Sequence, residues 1–145
     1  MKKITSVMIG MVLCGLAVNA IAQEEKSYKD GPVTVLSYVK VKPGKFDEYM
    51  KWLDTVGKPF RDSEVKAGLL LSYHVYQANA RSPSEPDIVL ADVYPNMAAL
   101  DKNDEADTLA GKSMGNRATR SKAAADREAL REILGSEIIR EIILK

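Results

Sequence analysis

The sequence predicts an α+β fold: one four-stranded antiparallel sheet with two helices packed on one of its faces. Three observations predict it. Stretches of period-two and of helical alternation follow one another in the order strand, helix, strand, strand, helix, strand. The joints between them carry Pro43-Gly44, Gly68, an Asn- and Pro-containing loop over 79–86, Pro95-Asn96 and Gly135. The chain has 145 residues, 46% apolar and 28% charged, which is ordinary for one folded domain and unlike a disordered chain.

Residues 1–22 read as an export leader, not as part of the fold. Lys2 and Lys3 give a positive start, and Val7 to Val18 is an apolar run of 12 residues, too short to span a bilayer. Ala20-Ile21-Ala22 places small residues where a signal peptidase reads them, so cleavage is expected before Gln23. Cys14 follows Leu13, which does not suit lipid attachment, and it lies inside the apolar run. Its removal leaves no cysteine, hence neither a disulfide nor a thiol nucleophile. Loss of Lys2 and Lys3 turns 21 basic against 20 acidic residues into 19 against 20, a charge of −1. So balanced a chain is a poor match for nucleic acid or an anionic membrane, both of which favour a one-sided field. The expected location is periplasmic or secreted, with no membrane span after cleavage.

Residues 23–31 are expected to be a loose polar leader, and 32–145 a single domain. Pro32 to Lys42 is rich in β-branched residues and reads as the first strand. Phe46, Tyr49, Met50, Leu53, Val56 and Phe60 then recur at helical spacing, so a helix is expected from Gly44 to about Asp54, continuing past Pro59 and ended by Gly68. Leu69 to Ala78 and Ile88 to Tyr94 read as strands two and three. Asn96 is a candidate cap for a short helix over Met97–Leu100. Residues 101–117 are ambiguous, because Gly111 and Gly115 weaken a helix there. Ala118 to Leu134 reads as helix, with Ala123, Leu130, Ile133 and Leu134 as its buried side and Gly135 as its stop. Glu137 to Leu144 reads as the last strand.

Such an order builds the ferredoxin-like βαββαβ plan. Val33, Val35, Ser37, Val39 and Val41, with Val89, Ala91 and Val93, are expected beneath the helices. Leu36, Tyr38, Leu90 and Tyr94 are expected on the opposite face, and the last strand is apolar on both sides. A sheet face open to water normally reads polar. An apolar one marks an interface, and the occupant expected is a second copy of this chain.

Val39-Lys40-Val41-Lys42-Pro43-Gly44-Lys45-Phe46-Asp47-Glu48-Tyr49 resembles the opening of dimeric α/β-barrel proteins, where a strand runs through Pro-Gly into an amphipathic helix. Tyr94-Pro95-Asn96-Met97-Ala98-Ala99-Leu100 resembles their second strand-to-helix entry. The resemblance extends over the mature chain in element order. It implies a homodimer related to antibiotic-biosynthesis-monooxygenase-like and stress-responsive barrel proteins. That superfamily includes cofactor-free monooxygenases, haem-degrading enzymes, small isomerases and proteins without known activity, so fold alone does not fix function.

His74 is the only histidine, and its unperturbed pKa makes it the candidate general base. It lies on a predicted strand, whereas the haem-degrading relatives carry a helix-borne histidine, so no haem or other resident cofactor is expected. Asp92 and Arg140 sit mid-strand between apolar residues, where a charge must be paired. With Tyr38 and Tyr76 they are the candidate ligand-binding residues, and convergence of Tyr38, His74, Asp92 and Arg140 is one arrangement expected. Ala106-x-x-x-x-Gly111-Lys112-Ser113 lacks the first glycine of a phosphate loop. Asp101-x-Asn103-x-Glu105-x-Asp107 lacks the sixth-position glycine and twelfth-position glutamate of a calcium loop, and zinc-ligand spacing is absent, so no metal site is expected. The basic residues of 117–131 read as an exposed helix face. Three functions compete: a protein binding a small apolar or aromatic ligand; a cofactor-independent monooxygenase or isomerase with His74 as base; and a structural or assembly protein without a ligand.

Overall fold

The computed structural model describes residues 26–145; the leader expected over 1–22 lies outside the described residues. The elements are β1 (Tyr28–Val41), α1 (Phe46–Trp52), a π-helical segment (Leu53–Gly57), α2 (Lys58–Lys66), β2 (Ser72–Gln77), β3 (Ile88–Tyr94), a 3-10 turn (Met97–Asp101), α3 (Asn103–Met114), α4 (Arg117–Glu128) and β4 (Arg131–Leu144). Four antiparallel strands pair in the order β2-β3-β1-β4, which is the ferredoxin-like sheet. Among the described residues no helix is long and apolar enough to cross a membrane.

The local chemistry behind these elements is plain. Gly44 turns the chain out of β1 with φ +72°, a conformation that a side chain disfavours. The helical stretch that follows runs through Pro59, which has no N–H to give to a carbonyl four residues back. The ladder widens just before it: the N–H of Lys58 bonds to the carbonyl of Leu53, five residues back. Asn96 caps the 3-10 turn by accepting from the Ala99 N–H at 3.1 Å, as its position suggested. Asn116 caps α4 in the same way through Thr119 at 3.0 Å.

Four expectations change. The polar leader is shorter, because β1 begins at Tyr28 and pairs that residue with Leu144. Residues 103–114 are helical despite Gly111, and Gly115 at φ +89° ends that helix. The helix expected to reach Leu134 stops at Glu128. Ile133 and Leu134 belong to β4 and are exposed, and Gly135 lies within that strand, opposite Tyr38 beside a register shift. Residues 129–135 fit either period, and pairing with the whole length of β1 decides for strand.

The fourth change concerns which side chains share a face. Val35 lies opposite Asp92, Ser37 opposite Leu90 and Val39 opposite Ile88. Odd positions of β1 therefore share a face with even positions of β3. The core beneath the helices is Val39, Val41, Tyr49 and Ile88, joined by Met50, Leu53, Leu90 and Leu130. Leu90 and Tyr94 thus lie on the covered side, and Val89, Ala91 and Val93 pass to the helix-free side with Leu36 and Tyr38. Alternation within each strand was legible; the parity between strands is fixed only by register. The helix-free face remains apolar after the exchange, with rows Tyr38–Val89–Tyr76 and Leu36–Ala91–His74 across its middle. Tyr76 is 53% exposed there.

Candidate functional site: a cavity between helix and sheet

On the covered face a cavity of about 440 Å³ opens between the π-helical segment with α2 and the strands β2 and β3. This volume suits a small organic molecule. Its walls are mainly apolar: Trp52, Leu53, Val56 and Phe60 from the helical side, Val75 and Leu90 from the sheet, and Met114 from α3. The π turn shapes one wall. A Cβ on Gly57 would lie 3.3 Å from Cζ3 of Trp52, so glycine lets the indole lie against the turn.

Two charged corners border this apolar space. In the first, Arg61 on α2 meets two carboxylates, Asp92 on β3 and Glu64 on its own helix, each at 2.6 Å. Glu64 is buried. Burial pushes the Asp92 carboxyl above the ordinary range, although the Arg61 charge pulls it down. Burial likewise raises the Tyr94 phenol, with the Asp92 charge adding to it.

In the second corner the balance is inverted. One carboxylate, Glu128 at the end of α4, serves two guanidinium groups. Its Oε1 lies 3.1 Å from Arg127 Nε and 3.4 Å from Arg131 Nη2. Burial opposes ionisation of Glu128, but the Arg127 hydrogen bond and the two arginine charges hold its carboxyl below the usual range. Arg131 is only 8% exposed, its Nη1 donates to the Tyr49 hydroxyl at 3.0 Å, and its Nε has no partner. Arg127 stacks over the Trp52 ring at 5.5 Å, tying α4 to the cavity wall. Both arginines line the cavity.

The five site residues read from the sequence do not converge. Asp92 lines the cavity, paired with Arg61. His74 borders it, but its position in β2 places the ring on the helix-free face, where it stacks with Tyr76 at 5.8 Å and hydrogen-bonds Ser72 at 3.1 Å. Tyr38 lies on that face too, donating to Glu137 at 2.8 Å, and this bond to a carboxylate raises its phenol. Arg140 is placed near the far end of β4, bound to Asp30 at 3.1 Å. The residues missed are Arg61, Trp52, Arg127 and Arg131. The signal for the first two was Pro59 inside a helical pattern; Arg127 and Arg131 look like any solvated helix face until α4 ends. Among the described residues no group of three His, Cys, Asp or Glu side chains could hold a metal ion.

No family model matches the chain, and no curated protein matches it. Solved structures do. The chain is similar to protein SO0527 from Shewanella oneidensis, at 17% identity and a TM-score of 0.50 over 80% of this chain and 98% of that one. It is similar to HapK from Hahella chejuensis, at 13% identity and a TM-score of 0.49 over 75% of this chain and 91% of that one. It is also similar to a dimeric ferredoxin-like protein from an uncultured marine organism, at 13% identity and a TM-score of 0.49 over 81% and 90% of the two chains. What is shared at these identities is the fold.

Proposed function

We propose that this is an exported, homodimeric α/β-barrel protein that takes a small apolar or aromatic compound into the cavity between its helices and its sheet. The observation that carries the reading is the cavity itself: about 440 Å³ of mainly apolar wall bordered by paired charges. A concave, mainly apolar space with a few placed polar groups is the usual form of a small-molecule site. The leader pattern of residues 1–22 supports export. The free sheet face supports a second copy as its occupant. Its centre is Leu36, Tyr38, Val89 and Ala91, with Glu137 on the flanking strand. Such a patch can lie on its own twin without bringing like charges together at the axis.

The enzymatic alternative, a monooxygenase or isomerase using His74 as base, is the weaker reading. Its base sits with Tyr76 on the helix-free face, on the other side of the sheet from the Arg61–Asp92 pair. The test of binding uses the single tryptophan, which is a wall of the cavity. Titration with 2-naphthol, a neutral aromatic probe at pH 7, should quench Trp52 emission saturably at one probe per chain. Absence of saturable quenching by 2-naphthol and by charged probes on the same ring, up to the solubility of each, contradicts the reading.

A further inference from the structure

We infer that the ligand is an aromatic carboxylate, its ring against Trp52 and Leu90 and its carboxylate received by Arg127 and Arg131. The inference rests on the cavity being a ligand site and concerns which chemistry it selects. The two charged corners carry opposite excesses of charge. At Arg61, one guanidinium faces two carboxylates, an excess of one negative charge. At Glu128, one carboxylate faces two guanidiniums, an excess of one positive charge. The first excess can be relieved within the protein, because Asp92 can take up a proton. The second cannot, because a guanidinium does not lose its proton in a protein.

Arg131 is more than nine-tenths buried, its contact with Glu128 is long at 3.4 Å, and its other acceptor is the neutral hydroxyl of Tyr49. Its Nε is enclosed with no partner at all. Burying a cation so weakly compensated is unfavourable unless an anion completes the site. Arginine pairs also match the planar fork of a carboxylate. The neighbouring wall is Trp52, already stacked under Arg127, which suits a flat ring continuous with the anionic group. Asp92, which lines the same cavity beside Arg61, disfavours an anion there, so the carboxylate is directed to the arginine corner.

The experiment compares three probes built on one ring: neutral 2-naphthol, anionic 2-naphthoate and cationic 2-naphthylmethylammonium. Each is titrated into the full mature chain by calorimetry at pH 7 and moderate salt. The expected result is 2-naphthoate at least tenfold tighter than 2-naphthol, with the ammonium probe weakest. Arg127→Gln and Arg131→Gln should each abolish that preference, the ratio of 2-naphthoate to 2-naphthol affinity falling to about one in each variant. Arg127 is partly exposed, so its variant keeps the test decisive if Arg131→Gln fails to fold by circular dichroism. Should 2-naphthol bind and 2-naphthoate bind no tighter, or should the ammonium probe bind best, the carboxylate inference is overturned and the ligand site stands. If none of the three binds, the ligand site itself is overturned.

Discussion

The two faces of this sheet are built from similar strands and put to opposite uses. The helix-covered face holds the fully buried residues Val39, Tyr49 and Ile88, and also every charged residue that lines the cavity. The helix-free face holds compact apolar residues and aromatics in the open, with Tyr76 and Ile139 about half exposed. A monomer in water would favour the reverse, charge outside and apolar surface within. The difference teaches that the two buried charges of the covered side, Glu64 and Arg131, need an account other than stability, since buried ion pairs add little of it. The exposed apolar surface on the other side is what the proposed twin subunit would cover.

The comparison can be broken from either face. The largest effect is expected on the free face. Val89→Asp puts an unpaired carboxylate between Tyr38 and Tyr76. It should weaken the dimer by about 3 kcal/mol, on the order of a hundredfold, since a charge without a partner is costly to bury. Sedimentation velocity should show dissociated, folded chains; an unchanged dimer would mean that this face is not the interface. On the covered face, Arg61→Met leaves Glu64 and Asp92 without their shared cation. Glu64 is buried while Arg61 and Asp92 are partly exposed, so the loss should cost about 2 kcal/mol, read as a lowered urea midpoint.

A subtler effect follows from Asp92, whose carboxyl is raised above its unfolded value chiefly by burial. Below the ordinary aspartate range the group is protonated in both folded and unfolded chains and is neutral to stability. As pH rises through that range the unfolded chain ionises first, so stability falls until the folded carboxyl has also titrated. Asp92→Asn should therefore gain stability relative to the parent as pH rises through the carboxylate range, measured by urea unfolding at a series of pH values. A difference independent of pH would show that Arg61 compensates the burial fully.

Gly57→Ala should displace the Trp52 ring, because the new methyl would lie 3.3 Å from it. A shift in tryptophan emission and a severalfold loss of 2-naphthol affinity are expected, with a modest stability cost of about 1 kcal/mol from overpacking. The smallest effect is expected at His74. His74→Gln should change cavity affinity less than twofold, because the ring faces the other way; loss of a turnover with binding retained would instead favour the enzyme reading.

Much of this architecture was legible because local chemistry wrote it. Pro43-Gly44 marks a turn, Asn96 marks a cap, and the helical spacing of Phe46 to Phe60 survives the proline between them. What was illegible depends on long-range pairing. The odd-to-even register of β1 with β3 exchanged Leu90 and Val89 between the faces, and nothing local encodes it. The stretch 129–135 satisfies helix and strand alike until β1 claims it. The same holds for the site. Asp92 stood out as a charge in an apolar strand, but its partner Arg61 sits 31 positions earlier among ordinary helix charges. Arg127 and Arg131 gain meaning only when α4 ends at Glu128 and one carboxylate is left between two cations.

The central claim about the sheet is that a twin subunit shields its helix-free face from water. Native mass spectrometry of the protein at micromolar concentration tests it most directly. The account predicts a species of twice the chain mass, which Val89→Asp converts to the single chain. A well-folded parent protein running as one chain at that concentration would contradict it.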